Sequence, residues 1–206
     1  MSIAGPNSDQ FTARERRRYL WGDHAILRHR WHNFDEIAPG VFRSNQPTYE
    51  RLKIYADQGI RTILSLRGEP KALHHRVEIA ACEALGIELR HTTLNARKPA
   101  TRDNLAALFH HFDTLPRPFL MHCKSGADRA GLASALYLLD QEGASLDAAR
   151  AMLSFRYLHL RRTATGVLDH MLDLYAERLK DGPIPVRQWI ATEYNPDALA
   201  QSWADR

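Results

Sequence analysis

The residues with the clearest chemical potential lie in the stretch HCKSGADR, where Cys123 is followed six residues later by Arg129. The apolar run RPFLM comes directly before it, and an alanine-rich apolar segment follows. This order predicts a loop between the end of a buried strand and the start of a helix. The first turn of a helix carries unpaired backbone N–H groups and the positive end of the helix dipole, so the loop is predicted to bind an anion.

Each residue of this loop has an expected part in binding phosphate. The small residues Ser125, Gly126 and Ala127 let the backbone approach the anion, and successive amides form a nest for its oxygens. Arg129 supplies a planar guanidinium that contacts two phosphate oxygens at once. The same positive surroundings favour the thiolate form of Cys123. A thiolate that faces a bound phosphate predicts attack on phosphorus and a cysteinyl-phosphate intermediate, which water then hydrolyses.

The competing interpretation of Cys123 is a buried free cysteine at the end of a strand, because free cysteines are commonly core residues. That interpretation leaves Arg129 and the small-residue loop without a role. Thiol transfer of the rhodanese or arsenate-reductase kind also uses a cysteine loop, but the arginine suits phosphate better than sulfur.

The surrounding sequence alternates between strand and helix patterns. Strands are predicted at GVFRSN, GIRTILSLRG, GIELRHTTL and RPFLMHC. Helices are predicted from Pro47 to about Gln58, at HHRVEIAACEALG, at RDNLAALFHHFDTL after the cap Thr101, at AGLASALYLLDQEG, after the cap Ser145, and at TGVLDHMLDLYAERLK. The alternation implies an α/β fold with a central, largely parallel sheet flanked by helices, which are crowded in the C-terminal half.

Composition limits the classes of function. The chain has 206 residues, 44% hydrophobic and 25% charged, which is typical of a soluble globular protein. A formal charge of +4 favours an anionic substrate but is too mild for a nucleic-acid partner. Two cysteines are too few for a disulfide framework and indicate either a reducing compartment or a single functional thiol. Because there is no apolar signal-peptide segment and no transmembrane stretch, we expect a cytoplasmic protein.

The loop HCKSGADR, with its strand in front and helix behind, resembles the signature of the cysteine-dependent protein tyrosine and dual-specificity phosphatases. The stretch PGVFRSNQPTYERLKIYADQGIRTILSLRGE resembles the opening of small atypical dual-specificity phosphatases, and the likeness covers roughly residues 38–180. It implies a protein tyrosine phosphatase-like fold and hydrolysis of phosphomonoesters with Cys123 as nucleophile and Arg129 as phosphate clamp. The implied partner is a phosphorylated substrate, namely a phosphoprotein, a phosphoinositide or an inositol phosphate.

On this basis the chain is divided into three parts. Residues 1–38 are predicted to form a basic and aromatic N-terminal extension, and residues 39–182 the phosphatase domain. Residues 183–206 are predicted to be a C-terminal tail that packs on the domain through its tryptophans. The histidine pairs at 74–75 and 110–111 lack metal spacing, so neither a metal nor another cofactor is expected.

Two positions depart from the family's pattern. Ala130 follows the arginine where the family has Ser or Thr, whose hydroxyl helps the sulfur leave, and this predicts slow breakdown of the phosphoenzyme. Asn95 stands near the usual place of the general-acid aspartate, and asparagine cannot donate a proton in that way. Asp128, directly before Arg129 as in myotubularin-type and Sac-type phosphatases, is the favoured substitute. The alternatives are Asp103, which is expected to complement a helix dipole, a loop-stabilising role for Asp128, or a leaving group acidic enough to need no acid.

Further basic residues are candidates for substrate contact. Arg97 and Lys98 lie in the loop before a predicted helix, and with Lys124 they are expected to form a basic rim suited to a polyanion. Arg43 and Arg67 are predicted at strand ends, where they either reach the substrate or bind loop carbonyls.

The rival function, from a different class, is a catalytically silent phosphate-binding or interaction module on the same fold. Asn95 and Ala130 favour this module, whereas Cys123, Asp128 and Arg129 favour the enzyme. His122 is expected to orient the loop through hydrogen bonds rather than to act as a base.

Overall fold

The computed structural model describes residues 2–68 and 71–206. Its contacts divide the chain into two units. Unit 1 consists of Met1–His91 and Pro116–Gly126, and unit 2 consists of Thr92–Leu115 and Ala127–Arg206. Each unit has its own secondary structure, and the Cys-x5-Arg loop passes from one to the other between Gly126 and Ala127.

Unit 1 is built on a five-stranded sheet with the order β1-β2-β5-β3-β4. The strands are β1 Asp35–Ala38, β2 Val41–Asn45, β3 Thr62–Ser65, β4 Glu88–His91 and β5 Phe119–Cys123. β1 is antiparallel to β2, and all other neighbours are parallel. β5 is central and buried along its whole length, which explains its short, continuous apolar run.

The described residues of unit 1 form three α-helices: α1 Ala13–Arg17, α2 Tyr49–Asp57 and α3 Leu73–Leu85. The Thr48 side chain caps α2, and Gly86 ends α3 in the left-handed conformation with φ of 64°. The apolar faces of α2 and α3 meet the sheet in one core, to which the N-terminal segment also contributes. Its members include Ile3, Phe11, Tyr19, Leu52, Tyr55, Ile63, Val77, Cys82 and Leu120.

Unit 2 contains six α-helices: α4 Arg102–Thr114, α5 Asp128–Gln141, α6 Leu146–Ala151, α7 Val167–Arg178, α8 Val186–Thr192 and α9 Pro196–Ala204. Thr101 and Ser145 cap α4 and α6 by accepting hydrogen bonds from backbone N–H groups. Trp189 and Tyr194, from the C-terminal tail, are buried in this unit, and the Tyr194 hydroxyl donates to the carbonyl of Ala100 at 2.8 Å.

The predicted fold class is confirmed: the chain is α/β, its sheet is largely parallel, and helices are crowded in the C-terminal half. The strand β1 was not predicted. It is a four-residue edge strand with a mixed burial pattern, so it lacks the apolar run that marks the inner strands. Within the two described ranges, no helix is long and apolar enough to cross a membrane.

Candidate active site

Cys123 is the last residue of β5, the central strand, and it is buried. It pairs in register with Asn45 at the end of β2, while the neighbouring His122 pairs with Ser65 at the end of β3. Three parallel strands therefore end together at the thiol. In α/β proteins this carboxyl edge of the sheet is where ligands bind.

A buried ion pair fixes the residue that precedes the thiol. The Nε2 atom of His122 lies 2.7 Å from Oε1 of Glu78 on α3, and both side chains are almost fully buried. Burial raises the pKa of Glu78, but the charge and hydrogen bond of His122 outweigh it and lower the pKa below its usual range. Burial lowers the pKa of the adjacent His75 to about 4, so that ring is neutral. This contact ties β5 to α3, in agreement with an orienting role for His122.

The carbonyl side of the loop is held by Arg43. Arg43 is the middle residue of β2, so the prediction that it lies at a strand end was wrong. Its side chain is fully buried, and its Nη2 donates a hydrogen bond to the carbonyl oxygen of Gly126 at 2.5 Å. Gly126 has φ of +73°, and a Cβ atom there would lie 2.6 Å from the backbone nitrogen of Asn45. Only glycine fits this position. Of the two roles considered for Arg43, the structure shows contact with a loop carbonyl.

The N-terminal segment also contacts the loop within unit 1. The side-chain amide of Asn33 donates to the carbonyl oxygen of Ser125 at 3.0 Å. The Nζ of Lys124 lies 3.3 Å from Nδ1 of His24 and 3.8 Å from Oδ1 of Asp23. This part of the predicted N-terminal extension therefore lies directly against the loop.

Arg67 binds side chains and not a loop carbonyl in the contacts of the described residues. Its guanidinium donates to both carboxylate oxygens of Asp23, at 2.7 and 3.1 Å, and to the side-chain oxygen of Gln46. Burial raises the pKa of Asp23, but hydrogen bonds and charge from Arg67 and Arg28 lower it to about 2. The structure thus gives Arg67 a partner in the N-terminal segment.

In unit 2 the loop continues directly into α5. Ala127 is the buried N-cap residue, and Asp128 and Arg129 are the first two residues of the helix. The Nε of Arg129 is buried and has no hydrogen-bond partner in the part of the chain that the structure describes. A buried donor without a partner is costly, so an acceptor such as a phosphate oxygen would relieve it. Ala130 is fully buried.

Asp128 belongs to a chain of charged groups that the sequence did not indicate. Its Oδ1 lies 2.8 Å from Nδ1 of His159, and Nε2 of the same ring lies 2.7 Å from Oδ2 of Asp169 on α7. Burial lowers the pKa of His159, but the hydrogen bonds and charges of the two carboxylates raise it to about 9. His159 is therefore an imidazolium at neutral pH that bridges two carboxylates.

The remaining predicted residues of unit 2 are exposed. Arg97 and Lys98 have exposed side chains, and Asp103 is exposed in the first turn of α4, where it complements the helix dipole. The Oδ1 of Asn95 accepts a hydrogen bond from the backbone N–H of Arg97 at 2.8 Å, so Asn95 shapes its own turn. The predicted basic rim stays a prediction.

The second cysteine lies in the interior of unit 1. Cys82 is buried in α3, and burial raises the pKa of its thiol well above the ordinary value. In residues 2–68 and 71–206 no group of three or more His, Cys, Asp or Glu is arranged to hold a metal ion.

The chain matches the model of one protein family, and its fold matches several solved structures. A family model described as "DSP-PTPase phosphatase fused to NAD+ Kinase" matches residues 30–164, more than half of the chain. No curated protein matches. The resemblance to dual-specificity phosphatases that the sequence indicated is thereby confirmed.

Solved structures share the fold at low sequence identity. The core catalytic domain of the PP-IP phosphatase SIW14 from S. cerevisiae is 19% identical with a TM-score of 0.55, over 73% of this chain and 92% of that one. A putative DUF442 phosphatase from Shewanella putrefaciens is 15% identical, TM-score 0.55, over 73% and 97%. TpbA from P. aeruginosa is 17% identical, TM-score 0.52, over 84% and 91%.

Proposed function

This chain belongs to the family described as DSP-PTPase phosphatase fused to NAD+ kinase, and from that premise we propose the reaction that it catalyses. The reaction is metal-independent hydrolysis of a phosphate ester through a cysteinyl-phosphate intermediate. Cys123 is the nucleophile, and Arg129 clamps two oxygens of the phosphoryl group.

The two steps of the proposed reaction balance without a cofactor. The thiolate of Cys123 attacks phosphorus, an S–P bond forms, and the bond to the leaving oxygen breaks, with its electron pair staying on that oxygen. The leaving group takes a proton from an acid or from water. Water then attacks the phosphocysteine, the S–P bond breaks, and inorganic phosphate and the thiolate are released with one proton.

One observation carries this proposal: a buried cysteine ends the central strand, and six residues later a buried arginine Nε without a partner among the described residues opens a 14-residue helix. The backbone N–H groups of Lys124, Ser125, Gly126 and Ala127 lie between them in the chain and are proposed to bind the phosphoryl oxygens. The hydrogen bond from Arg43 to the Gly126 carbonyl supports this role of the backbone amides, because it holds the backbone of the loop in place.

The substrate is proposed to be a phosphorylated polyanion, that is, a phosphoprotein, a phosphoinositide or an inositol phosphate. The printed name of the SIW14 neighbour describes a PP-IP phosphatase, which makes inositol pyrophosphates a class to include. Arg97 and Lys98, both exposed, are proposed to contact charges of the substrate beyond the reacting phosphate.

The proposal is tested by phosphate release from p-nitrophenyl phosphate in the presence of EDTA. We expect turnover by the wild type, none by Cys123→Ser, and wild-type turnover by the matched control Cys82→Ser. Turnover that survives in Cys123→Ser would exclude the nucleophile. A panel of phosphotyrosine peptide, phosphoinositide, inositol phosphate and inositol pyrophosphate then ranks the substrate classes.

The alternative function is a catalytically silent phosphate-binding module, which Asn95 and the buried Ala130 favour because each replaces a helpful catalytic group. It predicts that the wild type binds tungstate, a phosphate mimic, without turning over any member of the panel.

A further inference from the structure

We propose that His159 is a positioning residue of the catalytic loop: it holds Asp128 as a carboxylate, so that Asp128 anchors the turn carrying Arg129 and gives no proton to the leaving group. The inference rests on the proposed function and refines it. It assigns roles to His159 and Asp169, and it decides among the roles that the sequence left open for Asp128.

The geometry of the three groups leaves little freedom. The His159 ring is fully buried, and its two nitrogens lie 2.8 Å from Oδ1 of Asp128 and 2.7 Å from Oδ2 of Asp169. Both nitrogens must carry hydrogen to donate to two carboxylates, and only imidazolium has two donors. Asp169, on α7, thus fixes the ring from behind, and the ring fixes the first residue of α5.

The segment that delivers His159 is itself conformationally unusual. Leu158 adopts φ of +61° and is 51% exposed, while His159 beside it is buried. A left-handed conformation is disfavoured for a residue with a bulky side chain. The backbone N–H of His159 donates to the carbonyl of Ser154 at 3.2 Å, which closes this turn. Strain of this kind is retained where the placement of a neighbouring group matters.

The contacts of Asp128 suit a positioning role better than proton donation. A general acid must hold its proton at the working pH, and a carboxyl does so when burial or a neighbouring negative charge disfavours its ionised form. The Asp128 side chain is instead 22% exposed and faces the positive ring, while the ring lies between it and the Asp169 carboxylate. The surroundings of Asp128 therefore lack the features that keep a general acid protonated, and they suit a side chain that holds the ring in place.

A consequence follows for the substrate. Asn95, at the family's usual acid position, has no proton to donate. If Asp128 is held as a carboxylate, the leaving group must depart as a stable anion. This favours phosphoanhydrides and aryl phosphates over alkyl phosphates, because an alkoxide leaves poorly without a proton.

The test is a leaving-group series: kcat/KM for p-nitrophenyl, phenyl and butyl phosphate, together with the affinity for tungstate. We expect Asp128→Asn, His159→Asn and Asp169→Asn to lower kcat/KM by a common factor of roughly ten to a hundred on every substrate, as expected when a clamp is misplaced. Tungstate affinity should fall in parallel, since Arg129 is displaced. The slope of log kcat/KM against the pKa of the leaving group should be the same in these variants as in the wild type.

His170→Asn is the matched control, because His170 is also a buried histidine. It lies on α7, and its Nε2 is 2.8 Å from the hydroxyl of Ser202. This variant should have the kcat/KM of the wild type on every substrate and the same dependence of kcat/KM on the leaving group. A loss in Asp128→Asn that is a hundredfold larger for butyl than for p-nitrophenyl phosphate would show proton donation and overturn the inference. So would His159→Asn and Asp169→Asn behaving like the control.

Failure of this inference is distinct from failure of the proposed function. If the wild type carries phosphate on Cys123 during turnover but the slope changes in Asp128→Asn, the nucleophile stands and the positioning role is wrong. If no phosphate appears on Cys123 and Cys123→Ser still turns over substrate, the proposed function itself fails.

Discussion

Raising the pH should destabilise the folded protein through His159. Two carboxylates raise the pKa of this buried ring to about 9, from 6.5 for a solvent-exposed imidazole in the unfolded chain. A group whose pKa is raised by folding contributes stability that is fully present below pH 6.5 and is lost as the pH rises through about 9. At about 1.36 kcal/mol for each pKa unit, the contribution is about 3 kcal/mol.

The assay is urea unfolding of the wild type and of His159→Gln at intervals from pH 6 to pH 10. The difference in unfolding free energy between the two should be about 3 kcal/mol near pH 6 and should shrink toward zero above pH 9. Taking the difference cancels other groups that titrate in this range, including Cys82, whose pKa burial raises. A difference that stays constant from pH 6 to pH 10 would refute the assignment of His159 as a bridging cation.

Three further changes should have specific effects. Glu78→Gln should lower the free energy of unfolding by about 3 kcal/mol, because it removes the buried partner of His122. In urea unfolding, the double variant with His122→Asn should lose less stability than the two single variants lose together. Gly126→Ala should lower both the free energy of unfolding and kcat/KM, since its Cβ would lie 2.6 Å from the backbone. The control Gly143→Ala has a similar positive φ and open space around it, so it should lower the free energy of unfolding by only about 1 kcal/mol and leave kcat/KM unchanged. Arg129→Lys should lower kcat/KM by about a hundredfold, roughly 3 kcal/mol, because lysine loses the two-point contact, and wild-type kinetics would exclude the clamp role.

The sequence predicted what depends on local chemistry. Thr101 and Ser145 were predicted as helix caps and are caps, since an N-cap hydroxyl bonds to a backbone N–H only three residues away. The position of Cys123 at the end of a strand followed from an apolar run with small residues behind it. The fold class followed from the alternation of such elements.

Contacts between distant residues were beyond the sequence. Arg43 binds the carbonyl of Gly126 across 83 positions, and His159 reaches Asp128 across 31. A buried cation looks the same in a sequence as an exposed one, because burial depends on packing that pattern analysis does not specify. Glu78 likewise reads as the polar side of a helix, although it is buried against His122.

Trapping the cysteinyl-phosphate intermediate tests whether Cys123 is the nucleophile. Wild-type protein is mixed with p-nitrophenyl phosphate, quenched in acid during turnover and digested, and the peptides that contain Cys123 and Cys82 are analysed by mass spectrometry. We expect phosphate on Cys123, none on Cys82, and loss of the signal in Cys123→Ser. Turnover without phosphate on Cys123, together with activity in Cys123→Ser, would contradict that role.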